Sequence, residues 1–461
     1  MFGYKSIDQW SLRYWLLQQY MKLSYWLYFR KVESVNRTNL PVKLPVLLAP
    51  NHQNALMDAL AFVYDTGRQP VFLARADIFK GKAIIAFLEY LNIMPIFRIR
   101  DGISNVRKND EIFEKSLNVI HNRLNPLCIF PEGNHGDKRR LRPLVKGIFR
   151  IALMAQEKYG QNPAVKIVPV GIDYGHYQKF RSTLFINYGK PIEIAEFFPL
   201  WKSDPVSAIN HLRDRLSEEL EKLMIHIRSV EYYDLYMNLR VIYNAAMRRK
   251  MGIRNNSLAS RFKADKLMIE HLDHALENNP DEIAALNQQM IDYQNILKKY
   301  HFRDWVIEKR RFTLPALLAG SLLLVLAFPV FAYGYLTNIV PYSIPVRIAR
   351  KKIKDPQMHS TFKFVLGMVF FPLMYLLLMI PGFIIIENGW LQLSFILSLP
   401  LCGMAAYFYF IQFKKNRSRF RFFSMRLTRN PAIQKLINGR NTIFEKMNKI
   451  TSITTSHDDQ R

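Results

Sequence analysis

A few residue types in this chain occur at spacings that chemistry could use. His52 stands in Asn51-His52-Gln53-Asn54-Ala55-Leu56-Met57-Asp58, with an apolar run over 45–49 before it and an apolar, helix-like segment over 55–63 after it. A histidine is thereby placed where a buried strand ends and a helix begins. Asn54 is expected as the helix N-cap, and Asp58 then falls in the first turn. A carboxylate there can hold the imidazole, and a neutral histidine so held is a general base near neutral pH. Taken alone, the stretch also fits a plain cap or a surface pair.

Three more stretches carry candidate groups. In Met94-Pro95-Ile96-Phe97-Arg98-Ile99-Arg100, two arginines leave an apolar strand and offer forked donors to a phosphate. Alternation puts Arg98 and Arg100 on one face, and a strand edge with solvated charges fits as well. Phe130-Pro131-Glu132-Gly133 is a turn after a buried strand, and the basic run Lys138, Arg139, Arg140, Arg142 and Lys146 that follows makes a second candidate anion site. Ile167-Val168-Pro169-Val170-Gly171 is a buried strand interrupted by Pro169 and Gly171, which predicts an irregular strand beside a ligand path.

These groups need a scaffold. Strands are expected at 45–49, 71–74, 93–99, 127–130, 165–172 and 184–188, and helices at 55–64, 83–91, 109–124 and 147–158. The alternation predicts an α/β fold, a mixed sheet flanked by helices with its chemistry at strand ends. Residues 10–30 read as a helix on which Ser11, Gln18 and Lys22 fall within about 20° of one line, with Trp10, Trp15, Tyr20 and Trp26 among the rest of its surface. That pattern fits a helix lying in one leaflet of a bilayer, and equally one packed on the domain's own core.

Taken together and in order, the four stretches resemble the glycerolipid acyltransferase family, which acylates glycerol 3-phosphate or 1-acylglycerol 3-phosphate. The resemblance covers about 45–194, and Phe-Pro-Glu-Gly followed by Pro143 and Lys146-Gly147 is its most specific part. It implies that His52 is the base, Asp58 its partner and Arg100 the phosphate ligand, with Arg98 beside it. It also implies that Glu132 and Gly133 shape the acceptor site, with Lys146 among the substrate-binding residues, and that Pro169 marks the fourth motif. It implies direct transfer from an acyl thioester, acyl-CoA or acyl carrier protein, with no resident cofactor and no metal. The absence of a Gly-x-Ser-x-Gly stretch agrees with a route without a serine acyl-enzyme. Two departures stand out. Five residues rather than the family's four separate His52 from Asp58, so the pair meets only if the extra residue lies in the loop or first turn. After Gly133 the usual Thr-Arg-Ser is replaced by Asn134-His135-Gly136.

The chain has 461 residues, and its 65 Lys plus Arg against 37 Asp plus Glu give a formal charge of +28. That excess suits nucleic acid, an anionic membrane surface or a phosphorylated substrate. Apolar segments at 314–336, 364–386 and 391–413 are long enough to span a bilayer and decide for the membrane, so nucleic acid is not an expected partner. Basic residues flank the first segment at both ends and follow the third, whereas 387–389 has none. The last two segments then form a hairpin from the cytoplasmic side, and the first is re-entrant, bending near 329–334. The two cysteines, Cys128 and Cys402, form no disulfide or zinc pattern, and no cleaved signal peptide is expected.

The expected organisation is an interfacial helix at 1–44, an acyltransferase domain at 45–200, a helical module at 201–312, a membrane region at 313–413 and a basic cytoplasmic tail at 414–461. The resulting picture is an integral membrane protein, in a bacterial inner membrane, with its catalytic domain in the cytoplasm. Its partners are the phospholipid bilayer, an acyl thioester and a phosphorylated glycerolipid acceptor. The first functional reading is acyl transfer to the hydroxyl of a lysophospholipid such as 1-acylglycerol 3-phosphate; the runner-up acceptor is glycerol 3-phosphate or another lipid, and a non-catalytic lipid-binding protein that keeps the fold is the competing class.

Overall fold

The structure is a computed structural model and describes residues 10–97, 109–122, 125–160 and 164–453. The chain divides into two compact units, one of 1–226 with 349–365, the other of 227–348 with 366–461.

The first unit is built on a mixed sheet. Its strands are β1 (Lys31–Val35), β2 (Val46–Pro50), β3 (Val71–Arg75), β4 (Ile93–Ile96), β5 (Leu127–Cys128), β6 (Lys166–Tyr174), β7 (Thr183–Tyr188) and β8 (Ile192–Glu193). Their order is β1-β7-β6-β2-β5-β3-β4, with β8 also paired to β6. β2 lies parallel to both β5 and β6, whereas β7 and β8 run antiparallel to β6. Every residue of β2 and of β7 is buried, as strands covered on both faces must be. Sequence patterning did not find β1 or β8. β1 is a half-buried Lys-Val-Glu-Ser-Val strand at the sheet edge, and β8 has two residues.

The helices of this unit are α1 (Leu12–Tyr28), α2 (Leu56–Asp65), α3 (Lys82–Tyr90), α4 (Asn109–Asn122), α5 (Gly147–Tyr159), α6 (Phe198–Ser203) and α7 (Pro205–Leu223). One core joins Leu47, Val71, Leu127 and Ile167 of the sheet to Ile148 and Ile151 of α5 and Leu212 and Leu216 of α7. α7 begins at Asp204, whose carboxylate accepts from the Val206 and Ser207 N–H groups ahead of Pro205 at the first helical position.

α1 packs one face on the domain's own core, one of the two arrangements its sequence allows. Tyr14, Gln18, Met21, Tyr25 and Tyr28 recur at helical spacing and are buried. The polar line therefore faces inward, where the Gln18 amide donates to the carbonyls of Val63 and Arg68. Trp10, Trp15, Leu16, Leu23 and Trp26 are left exposed on the outside.

β6 is continuous over nine residues, not irregular as predicted. Lys166 N donates to Pro45 O, and Asn51 N to Val170 O, so even-numbered residues of β6 face β2. Pro169 turns its nitrogen to the other edge, between the β8 pairing at Ile167 and the β7 pairing at Val170, where no donor is needed. Gly171 has a packing reason: a Cβ there would lie 1.8 Å from the carbonyl oxygen of Leu223, at the end of α7.

The second unit is helical. It holds α8 (Tyr233–Ile242), α9 (Asn244–Lys250), α10 (Leu258–Asn278), α11 (Pro280–Lys299), α12 (Asp304–Lys309) and α13 (Leu314–Leu326), followed by most of α14 (Phe328–Lys352) and α15 (Met358–Ile385), then α16 (Gly389–Leu427) and α17 (Pro431–Ile453). α15 and α16 are long and apolar enough to cross a membrane. α13 and α14 pass that test only together and are bent by 52° at the break between them. The bend falls at Ala327, ahead of the expected 329–334, and Pro329 becomes the second residue of the new helix. Residues 414–453, read from sequence as a basic tail, are largely helical. α17 packs on α11, burying Ala432, Ile433, Leu436, Ile443 and Met447, and Arg440 pairs with Asp304 at 2.9 Å.

Candidate active site

β2 delivers His52. Asn51 lengthens the β2–β6 ladder with its side chain, donating to Ile172 O at 3.1 Å and accepting from Ile172 N at 2.6 Å. The chain then turns through Gln53, Asn54 and Ala55 before α2 begins at Leu56. Ala55 makes the turn with φ 47° and ψ −130°, a conformation that alanine rarely adopts. The extra residue between His52 and Asp58 thus lies in the loop, and His52 Nδ1 meets Asp58 Oδ2 at 2.8 Å.

Asn54 is not the side-chain cap predicted. The Asp58 carboxylate takes that place, with Oδ2 accepting from the N–H groups of Gln53 and Asn54, both at 2.7 Å. Oδ1 accepts from the Tyr174 hydroxyl at 2.8 Å. Asp58 is fully buried, yet four donors satisfy it when the imidazole proton is on Nδ1. Burial, and then the charge on Asp58, push the Tyr174 phenol well above its ordinary range, so Tyr174 stays a neutral donor. The His52 ring stacks on Phe130 with centroids 4.1 Å apart, and its side chain is 14 % exposed. A base fixed at Nδ1 and reachable from one side can take a proton at Nε2.

Glu132 locks this geometry from behind. Its Oε1 accepts from His52 N at 2.7 Å, and its Oε2 accepts from Arg142 Nε at 3.0 Å. Burial raises its carboxyl above the usual range, partly offset by the His52 N–H and the Arg142 guanidinium. Both oxygens are engaged by the protein itself, so Glu132 holds the loop that carries the base. Gly133 turns with φ +66°, where a Cβ would come within 3.0 Å of Val145. Lys146 is exposed at the start of α5, directly after Val145. Pro169 lies opposite Ala49, three residues before His52.

Two residues of the basic run are held by carboxylates of the protein itself. Arg139 pairs with Asp173 at 2.8 Å and also donates to Tyr174 O, while Arg142 is held by Glu132 and donates to His135 O. Arg98 and Arg100 lie outside the described residues. Among the described residues no cluster of His, Cys, Asp or Glu is arranged to hold a metal.

Sequence reading passed over Tyr174, Ser360 and Asp355. Tyr174 was hidden at the end of a strand. Asp355 lies in the connector between α14 and α15, and Ser360 in the first turn of α15, hundreds of residues away, where no local pattern marks them. Ser360 Oγ donates to Asn54 Oδ1 at 2.6 Å, and His135 Nε2 meets Asp355 Oδ2 at 2.7 Å.

Residues 31–173 match the family model described as Acyltransferase. Over 276 residues the chain is 26% identical to glycerol-3-phosphate O-acyltransferase 1 of Saccharomyces cerevisiae, covering 56% of this chain and 35% of that protein. Over 289 residues it is 24% identical to glycerol-3-phosphate O-acyltransferase 2 of the same yeast, covering 58% and 37%. The matched part is thus little more than a third of those relatives' own length. Among solved structures, the 1-acyl-sn-glycerophosphate (LPA) acyltransferase PlsC from Thermotoga maritima aligns with a TM-score of 0.32 and 18% identity, over 45% of this chain and 79% of that one.

Proposed function

We propose that this chain, whose residues 31–173 match the Acyltransferase family model, transfers a fatty acyl group from a thioester to a hydroxyl of a phosphorylated glycerol at a membrane surface. The observation that carries this reading is the His52–Asp58 pair at 2.8 Å, with the carboxylate satisfied on both oxygens and the imidazole open on one side. His52 Nε2 takes the proton of the acceptor hydroxyl as its oxygen attacks the thioester carbonyl. Asp58 stabilises the imidazolium, the C–S bond breaks, and His52 returns the proton to the departing thiolate. Arg100, with Arg98 beside it, is assigned to the acceptor phosphate by its place in the motif. The donor is acyl-CoA or acyl carrier protein, and the chain needs no resident cofactor.

The yeast relatives carry glycerol-3-phosphate O-acyltransferase names, which favours glycerol 3-phosphate as acceptor. The sequence motifs alone serve 1-acylglycerol 3-phosphate equally. Purified full-length protein, given labelled oleoyl-CoA and each acceptor in turn, is expected to form lysophosphatidate from the first or phosphatidate from the second. No acylated lipid from either acceptor would remove the reading and leave a lipid-binding protein.

The membrane enters this reading through α15, α16 and the exposed tryptophans of α1, whose rings favour the interface. Residues 349–365 fold into the unit that holds His52 and therefore share its side of the membrane. With Lys309, Arg310 and Arg311 ahead of it as well, segment 314–348 is read as entering and leaving on that side. Single cysteines at Lys351, Asn388 and Lys415, with Cys128 and Cys402 removed, should give labelling by an impermeant thiol reagent on intact cells only at Asn388. Labelling at Lys351 would overturn this topology.

A further inference from the structure

The connector between the membrane-type helices bonds to two residues that neighbour His52. Although the chain on both sides of it belongs to the helical unit, 349–365 folds with the sheet. It grips the unit on two sides of His52. On one side, Ser360 Oγ donates to Asn54 Oδ1 in the loop that carries the base. On the other, Asp355 Oδ2 meets His135 Nε2 at 2.7 Å. Further bonds brace the segment: Gln178 Nε2 to Pro356 O at 2.9 Å, Lys363 Nζ to Gln178 O at 2.7 Å and the Gln357 N–H to Asp355 Oδ1 at 2.9 Å.

His135 stands edge-on to His52, with centroids 5.5 Å apart and planes at 84°. Its main chain is fixed as well, because His135 O accepts from Arg142, and Arg142 in turn holds Glu132. The His135 ring is thus within reach of a molecule whose hydroxyl approaches His52 from that side. His135 occupies the stretch where the family's usual residues are replaced, at a point that no nearby sequence pattern explains. Burial acts to raise the Asp355 carboxyl, but the bonds from His135 and the Gln357 N–H outweigh it and hold the carboxyl below its usual range. An imidazolium bound to that carboxylate through Nε2 has one N–H remaining, on Nδ1, for an anion.

We infer that Asp355 is a positioning residue for acceptor selection: from the inter-helix connector it fixes His135 beside the base, where His135 contacts the phosphate of the acceptor. This rests on the acyl-transfer reading above. It explains why a connector remote in sequence is folded into the site.

The test is steady-state kinetics on the full chain in detergent, with oleoyl-CoA as donor and glycerol 3-phosphate, oleoyl-lysophosphatidate or uncharged monooleoylglycerol as acceptor. Asp355→Asn is expected to raise KM about tenfold for whichever phosphorylated acceptor is used, the scale of one charge-assisted hydrogen bond. KM for oleoyl-CoA and turnover of monooleoylglycerol should not move, and Asp355→Glu should recover most of the loss. His135→Gln should show the same split, and the double variant should be no worse than either single one. An unchanged KM for the phosphorylated acceptor in Asp355→Asn overturns the assignment, as does an equal loss towards every substrate that Asp355→Glu does not restore. A wild-type protein that acylates none of the acceptors instead removes the acyltransferase reading and takes this inference with it.

Discussion

His52→Ala is expected to cut acyl transfer by about 10²–10⁴-fold, the range that one positioned base supplies, while leaving the fold intact. The side chain projects from the end of β2 and is partly exposed, so removing it opens no cavity in the core joined by Leu47, Ile148 and Leu212. What it loses is the stacking contact with Phe130 and the bond to Asp58. The loss should appear in kcat rather than in KM for either substrate, because the base acts as the acceptor oxygen attacks. Thermal unfolding of the variant beside the wild type separates lost chemistry from lost structure. A well-folded variant with unchanged turnover would remove His52 from the reaction.

Asp58→Asn should be nearly as damaging, and for a reason that can be isolated. Asp58 Oδ2 accepts from two backbone N–H groups and from His52, whereas Oδ1 accepts from the Tyr174 hydroxyl alone. An asparagine can keep its oxygen at the first position and turn its NH₂ towards Tyr174, whose hydroxyl can accept instead of donate. The hydrogen-bonding cost is therefore small, roughly that of one exchanged bond at about 1 kcal/mol. The charge that stabilises the imidazolium is gone, and turnover should fall by about 10²–10⁴-fold. Asp58→Ala, by contrast, strands the Gln53 and Asn54 donors and should also lower the unfolding temperature. If Asp58→Asn kept full turnover, the carboxylate would be a loop brace and not the partner of a base.

The parts of this site that could be read from sequence are those whose chemistry is local. An apolar run ending in Asn-His, an Asp a few residues on and a Phe-Pro-Glu-Gly turn each announce themselves within a short window. The meeting of His52 with Asp58 was less visible because it depends on Ala55 at positive φ, and alanine gives no signal of the kind that glycine or asparagine would. The bonds of Glu132 were hidden for a similar reason. Its motif position names it, but only the fold shows its two oxygens spent on His52 N and Arg142. The same holds for Arg139, whose charge in a basic run pointed to an anion until Asp173 was found beside it. Pro169 and Gly171 looked like a strand broken for a ligand, whereas they fit a gap between two partner strands and the close approach of a helix end. In the helical unit, the charge of the C-terminal stretch drew attention away from the stripe at Ala432, Leu436, Ile443 and Met447 that packs α17 on α11. Asp355 was beyond reach, because no property of one connector says which distant histidine it will meet.

The most direct test of the central claim, direct transfer driven by the His52–Asp58 pair, follows both products of one reaction. Purified full-length protein is mixed with labelled oleoyl-CoA and either glycerol 3-phosphate or oleoyl-lysophosphatidate, and free CoA thiol and acylated lipid are measured together over time. The expected result is equal amounts of thiol and acylated phospholipid, both lost in His52→Ala and in Asp58→Asn. Thiol released without acylated acceptor, or acylated lipid formed at the wild-type rate by His52→Ala, would contradict it.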